Sequence, residues 1–538
     1  MDVSHLHKSI DIDSLCKWLN IVSKETKSAL IQKLSQWQTD ELKLHNLSYE
    51  FATVQNALDN NTSVTNTIIK TLDTVHEYES ELQTLLKENS ELEKESVSEL
   101  LFLNKYLSPL NFIPFLLTVW SLIRVYILPG LALLTPILML VLPYILLRFV
   151  FKISMNMDTY FGMILCLLTG DTQSMLNIST LSFKTIINSF IKMLMESPGQ
   201  ALTKITGIGI TVGQSLFQPY LTYRHLSAIN TLINDKSNIL SKFKHDYDKL
   251  YSLMKSVDLE MRKNPLPNLT TEREHVAYAI LDPTPYKLAL KNIGQIDALI
   301  RLAIKKECRA VHWQNNSVHF EIKNTFDINV AEENRKTFSV DLSKSSHHAL
   351  LTGPNRGGKS TALRALCVSA LLAHTYGCTI GSATLSPFEL MYANLKSEDI
   401  PGSKSHFERE VDFSAQTLNT QKPTLVFIDE LFHTTNPPDA LEACKLYCNN
   451  LWNKSNVISV ISTHLFELVE NSPNTVQRLC CPAELAPNGS VTYHYGLNEG
   501  VCKVSSVFEI MSKYGYTVQL SAVENDLKKS DDGQNERT

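Results

Sequence analysis

The chain has 538 residues, 44% of them apolar and 20% charged, a composition that excludes global disorder. Single cores seldom grow past roughly 250 to 300 residues, so this length provides for roughly two to four domains. With 50 basic residues against 55 acidic ones, the formal net charge is −5, far from the balance of a dedicated nucleic-acid binder, and any contact with DNA must be local.

The first residues, MDVSHLHKSIDID, lack the apolar core of a secretory signal and the arginine-rich character of a transit peptide, so nothing is expected to be cleaved for export. Residues 10–104 contain no Pro or Gly and carry apolar residues at helical spacing, such as Leu72, Val75, Leu82, Leu86 and Leu92, which predicts long packed helices. The composition then changes. Residues 106–123 are 18 positions without a charge and 125–147 are 23 more, separated only by Arg124. Each run approaches or exceeds the roughly 20 residues that cross about 30 Å of hydrocarbon. Pro129 and Gly130 read as a turn signal between them. The pattern predicts a helical hairpin, with Lys105 at one end and Arg148 and Lys152 at the other on the cytoplasmic face, and Arg124 near the far interface. The alternative is a pair of buried helices in a soluble bundle, although 131–147 has no polar stripe.

Residues 153–305 return to mixed helical character, with a glycine-rich patch at 206–213 (TGIGITVG) that reads as a tight helix contact or a loop and lacks the Lys-Ser of a phosphate loop. Short alternating runs, 317–322 (SVHFEI) and 338–342 (FSVDL), then predict strands. The polar tail from Asn525 is expected to be disordered.

The chemistry is concentrated in the C-terminal third. An apolar run, 349–352 (ALLT), leads into Gly353, Pro354, Asn355, Arg356, Gly357, Gly358, Lys359, Ser360 and Thr361, and a helical pattern follows. Strand, loop and helix in that order make a phosphate cradle. Gly353 and Gly358 frame a loop whose N–H groups turn onto phosphate oxygens, Lys359 reaches the β- and γ-phosphates, and the Ser360 hydroxyl ligates Mg²⁺. A second buried-strand run, 424–428 (TLVFI), ends in Asp429 and Glu430, which suits Asp429 to the metal and Glu430 to polarising the attacking water. A third, 457–462 (VISVIS), ends in Thr463 and His464, and the imidazole is a candidate γ-phosphate sensor on the same edge of a parallel sheet. The ten cysteines have no zinc spacing and read as reduced, buried thiols.

Together, 353–361 (GPNRGGKST), 425–430 (LVFIDE) and 462–468 (STHLFEL) resemble the MutS family of DNA mismatch repair ATPases. The resemblance extends to 405–410 (SHFERE), similar to the family's Ser-x-Phe-x-x-Glu signature, to 495–500 (YGLNEG), and upstream to 295–303 (QIDALIRLA). It implies an ABC-type α/β ATPase domain with a largely parallel sheet, using ATP and Mg²⁺. Two nucleotides would be sandwiched in a homodimer or a heterodimer with a related chain, with Ser405 approaching the γ-phosphate held by the partner, and Asn355 and Thr361 as added loop contacts. Three departures stand out. Phe432, His433 and Thr434 replace the family's Gly-Arg-Gly, Arg356 replaces a Met, and the mismatch-reading domain with its Phe-x-Glu wedge is not found.

The expected organisation is a helical arm over 1–105, the apolar hairpin over 106–152 as a candidate membrane span, a helical core over 153–305, the ATPase domain over 306–522 and a tail over 523–538. The expected function is an intracellular ATP hydrolase that drives clamp or lever movements, acting on DNA. The alternative is a membrane-anchored ATPase, its ATPase domain on the cytoplasmic side, acting on a membrane or protein partner.

Overall fold

Buried apolar runs set the architecture of the C-terminal region. The computed structural model describes residues 11–87, 91–169, 198–315, 317–343, 346–395, 405–486 and 490–514, with a few isolated positions between 187 and 195; the polar tail lies outside the described residues. Fourteen strands are described, β1 (Cys308–Ala310), β2 (His312–Trp313), β3 (Phe320–Thr325), β4 (Phe338–Asp341), β5 (His348–Thr352), β6 (Cys378–Ile380), β7 (Ser382–Leu385), β8 (Leu390–Asn394), β9 (Thr424–Ile428), β10 (Val457–Ser462), β11 (Val476–Cys480), β12 (Ala483–Leu485), β13 (Val491–Tyr493) and β14 (Asn498–Glu499). Six of them form the main sheet, in the order β14-β11-β5-β10-β9-β8, with only the edge strand β14 antiparallel. Every residue of β5, β9 and β10 is buried, as expected of parallel strands covered on both faces. A second sheet, β2-β7-β3-β4, lies in the same unit. The strands expected at 317–322 and 338–342 are realised as β3 and β4, the first beginning three residues later than its pattern suggested.

The helix Lys359–Tyr376 is the central hydrophobic element, buried at every position from Ala365 to Tyr376. It packs on β9 and β10 and on the helices Lys24–Leu34 and Glu41–Asn60. It ends at Gly377 in the left-handed region, φ 72°, where a Cβ would lie 2.4 Å from the backbone of Leu47 and Ser48. The helix Glu41–Asn60 can approach this closely only because Gly377 has no side chain. The predicted arm over 1–105 is therefore divided. One unit gathers the described residues up to His76, Lys249–Lys263 and those from Leu290 onward; the other comprises the described residues of Glu77–Asp248 and Asn264–Ala289.

A buried charge network ties the N-terminal helices to the helix Thr284–Ala303. Asp297, fully buried, accepts from Arg301 Nε at 2.8 Å and Thr26 Oγ1 at 2.8 Å, and His76 Nε2 lies 3.3 Å away. Arg301 also donates to Asp73 at 2.6 Å and to the Asn20 carbonyl at 2.9 Å. Burial alone would raise the Asp297 carboxyl, but His76, Arg301 and Thr26 together hold it below the usual carboxylate range.

The other unit is helical, and its apolar stretch departs from the expected hairpin. The helix Leu116–Leu122 runs through a π-helical turn, Ile123–Ile127, into Leu128–Ile145 and a second π-turn, Leu146–Val150, with no reversal at Pro129 and Gly130. Pro129 lacks the N–H of an α-helical bond, but it follows a turn whose bonds already reach five residues back, Leu128 N–H to the Ile123 carbonyl, so the rod continues. Nor is this rod a buried core. Only 22% of the apolar window within Leu116–Leu138 is covered, and Leu131, Ile137, Leu142, Phe149 and Val150 are exposed. The glycine-rich patch at 206–213 lies inside the 59-residue helix Pro198–Ser256, where a Cβ on Gly207, Gly209 or Gly213 would meet nothing within 4 Å.

Gly377→Ala is expected to destabilise the unit that holds the main sheet by roughly 2 to 4 kcal/mol, from a left-handed backbone plus overpacking, read as a lowered urea midpoint. Asp297→Ala is expected to cost about 3 kcal/mol or more, because Arg301 and His76 would remain buried without their carboxylate. The Asp297 carboxyl is depressed in the folded chain. Its contribution is therefore complete above an unfolded value of about 3.9 and disappears as pH falls through the lower folded value. Asp297→Asn should flatten the stability profile below about pH 4, and an unchanged acid limb would refute the assignment.

Candidate functional site

Parallel pairing fixes where the chemically interesting residues emerge. β10 lies between β5 and β9, with Ser462 level with Leu351 and Ile461 level with Ile428. The three strands thus end on one edge, and the residues that follow, Gly353, Asp429 and Thr463, leave the sheet side by side.

The loop after β5 closes with Gly358 at φ 106°, the N-cap of Lys359–Tyr376. A left-handed cap favours glycine, and Gly358 provides no side-chain hydrogen bond to the helix. An uncapped helix N-terminus with inward N–H groups is suited to an anion. Arg356, also at positive φ, and Asn355 are exposed, Pro354 and Gly357 are buried, and Ser360 and Thr361 are half-buried. The Asn355 carbonyl accepts from Ser506 Oγ at 3.1 Å, which holds the loop from the C-terminal side.

Lys359 is 5% exposed. Its ammonium donates to the carbonyls of Gly353 at 3.0 Å and Pro354 at 3.3 Å and lies 3.1 Å from His464 Nε2. His464 Nε2 is also 3.0 Å from Glu430 Oε1. One imidazole nitrogen cannot serve both: it accepts from the ammonium or it donates to the carboxylate. Burial pushes the Lys359 amine down, an effect opposed by Glu430 and Asp429. The Glu430 carboxyl is held below its ordinary value, chiefly by the hydrogen bond from His464, with Lys359 and His433 adding to it. Glu430 has φ 54°, an unusual conformation for a residue with a side chain, and its N–H donates to Ser462 Oγ at 2.9 Å. The same Ser462 hydroxyl donates to Asp429, so one serine at the end of β10 holds the Asp429 carboxylate and the Glu430 backbone.

The loop lines a cavity of about 710 Å³. Its other wall, drawn from 326–338 and 495–496, is absent from the sequence reading of the site. Phe326 carries the Arg335 guanidinium 4.8 Å above its ring, and Arg335 Nε donates to the Val330 carbonyl at 2.8 Å. Tyr495 closes the cavity near Gly358. These residues belong to irregular connections with no period, so the sequence offered only the resemblance of 495–500 as a signal. The volume, the uncapped helix and the buried ammonium fit a nucleoside triphosphate. Asp429 and Ser360 fit a cation that completes its shell with phosphate oxygens and water. Among the described residues, no group of three His, Cys, Asp or Glu side chains forms a protein cage for a metal.

Ser405 is exposed and caps the helix His406–Asn419, its hydroxyl accepting from Glu408 N–H at 3.2 Å. In this single chain it is not among the residues lining the cavity. Glu410, one turn on and 5% exposed, accepts from Thr434 Oγ1 at 2.9 Å and lies 3.3 Å from His433 Nδ1. Phe432 is buried against Phe407 at 5.7 Å and Tyr447 at 6.2 Å between ring centroids. The three residues that depart from the expected Gly-Arg-Gly therefore clasp the helix that carries Ser405. All ten cysteines are free and buried, as their spacing implied.

The same stretch of chain that builds this edge, residues 349–525, matches the family model described as MutS domain V.

Proposed function

We propose that the C-terminal domain binds and hydrolyses ATP in the manner of MutS-type ATPases, at an interface between two such domains. The observation that carries this reading is the convergence of Lys359 and Glu430 on His464 Nε2, at 3.1 Å and 3.0 Å, at the edge where the loop meets β10. The domain V match over 349–525 supports it, that domain being the ATPase module of the MutS family.

In this reading the N–H groups from Gly358 to Thr361 hold the phosphates, and Lys359 exchanges its carbonyl partners for β- and γ-phosphate oxygens. Mg²⁺, held by Ser360 and Asp429, would neutralise charge on the β- and γ-phosphates. Ser462, through its hydrogen bond to Asp429, would hold that carboxylate in place for the metal. Once Lys359 turns to phosphate, His464 Nε2 is left to Glu430 or to the γ-phosphate, and Glu430 orients and polarises the attacking water. Ser405 completes the site of the partner domain from outside. Closing two domains on ATP and releasing them after hydrolysis would work the helical region as clamps or levers. DNA, in a repair or recombination role, comes to this chain from the family match alone.

A second reading, anchorage in a membrane, is favoured by the exposure of the apolar rod that begins at Leu116. Among the described residues, Leu116–Leu138 is long and apolar enough to cross a bilayer.

Lys359→Ala is expected to weaken ATP binding by about 100-fold or more, measured by fluorescent-nucleotide titration. Glu430→Gln should retain binding, lower kcat by roughly 100-fold to 10,000-fold, and accumulate an ATP-dependent dimer on gel filtration. Undiminished turnover in Glu430→Gln would assign the base elsewhere. For the second reading, alkaline carbonate should leave the protein in the membrane pellet, and full release into the supernatant would remove it.

A further inference from the structure

Resting on the membrane reading, we propose that the chain crosses the bilayer twice, through residues 125–147 and then through the N-terminal part of the long helix at 205–223, with the Arg124 and Arg224 ends on the side of the nucleotide unit.

The parity of crossings comes first. The described residues up to His76 and those from Leu290 onward belong to one compact unit, so the chain between them returns to the side it left. A hairpin within 106–147 would satisfy this, but the helix continues through Pro129 and Gly130 without reversing. One crossing by 125–147 therefore requires a second on the way back. Residues 125–147 hold 23 positions without a charge, roughly 34 Å of helix, and match a hydrocarbon core of about 30 Å. Between Lys204 and Arg224 the helix Pro198–Ser256 holds 19 more, roughly 28 Å. Composition alone conceals this segment, because glycine, threonine and glutamine dilute its isoleucine, leucine and phenylalanine. Among its described side chains, Ile210, Leu216 and Phe217 are nonetheless exposed, by 60%, 46% and 59%. Around the helix Met157–Thr169, the charge-free stretch between Asp158 and Asp171 holds 12 residues, too few to cross.

Two contacts join the beginning of the first run to the end of the second, as two successive crossings in opposite directions require. The rings of Tyr126 and Tyr223 lie 6.0 Å apart, joining the beginning of the first run to the end of the second, and each tyrosine is within two residues of an arginine. Arg273 bridges the same level, donating to Ser121 Oγ before the first run and to Asn230 and Asn234 at 2.7 Å each after the second. At the opposite end, Arg148 donates to Tyr144 at 2.5 Å and Tyr144 packs on Tyr160 at 5.1 Å, with Lys152 and Lys204 also beyond the charge-free runs. Arginine beside aromatic rings at both ends is the arrangement expected where a helix leaves hydrocarbon for headgroups. The occupant of the exposed collar is thus lipid. The order is also the reverse of the hairpin, which put Arg124 at the far interface.

The test uses the full-length chain, whose own ten cysteines are buried and free. Ser154→Cys lies just past the first run, Asp235→Cys past the second, and Ser455→Cys on the nucleotide unit; all three positions are exposed. Sealed vesicles are treated with a membrane-impermeant maleimide, after alkaline carbonate has established integration. Asp235→Cys and Ser455→Cys should label equally with or without detergent. Ser154→Cys should gain about tenfold or more on permeabilisation. Carbonate-resistant protein in which Ser154→Cys labels from the Ser455→Cys side overturns the two-span order and leaves the anchor intact. Release of the protein by carbonate overturns both.

Discussion

The alignment of β5, β10 and β9 in one parallel ladder is the constraint on which the site depends. Parallel strands share a direction, so three loops leave at one edge, and the register makes Gly353, Asp429 and Thr463 neighbours despite more than a hundred residues between the first and the last. A one-residue slip in such a ladder would turn every side chain to the other face, and complete burial of all three strands makes that slip costly. Ser462 turns this backbone order into side-chain order, because its hydroxyl engages Asp429 and the Glu430 amide together. The strain at Glu430 is sustained by that contact and by a core of Val426, Ile428, Leu431 and Phe432 beneath it.

The substituted segment after Glu430 has a structural explanation of its own. Phe432 fills space against Phe407 and Tyr447, and His433 and Thr434 converge on the buried carboxylate of Glu410. The helix that presents Ser405 is thereby coupled, within one chain, to the loop that carries the two acids. In the proposed dimer, a change at Glu430 would reach Ser405 through these contacts, without a wire of separate residues.

How much was legible in the sequence varied with the kind of signal. Strand, loop and helix around Lys359, and the acids and histidine ending two more strands, were legible because each rests on a local pattern with a phosphate-binding rationale. Phe326, Arg335 and Tyr495 were not, since aperiodic connections place them and only tertiary contacts bring them to the cavity. Pro129 with Gly130 misled as a turn signal: a π-helical offset just before Pro129 absorbs its missing N–H. Residues 1–105 read as one helical arm because helical periodicity says nothing about which surface a helix meets. Gly377, the residue that admits the helix Glu41–Asn60, lies more than three hundred positions downstream. The segment 205–223 was hidden for a related reason, its small and polar residues lowering an average that exposure of individual side chains does not follow.

The 59-residue helix Pro198–Ser256 has a mechanical consequence. Its part Pro198–Asp248 lies in the helical unit and, at roughly 1.5 Å per residue, is about 76 Å long, so a tilt of about 5° at one end would carry the other through about 7 Å. Small angular changes near Asp248 are magnified at Pro198, with Pro219 the position inside the helix where such a rod would bend first.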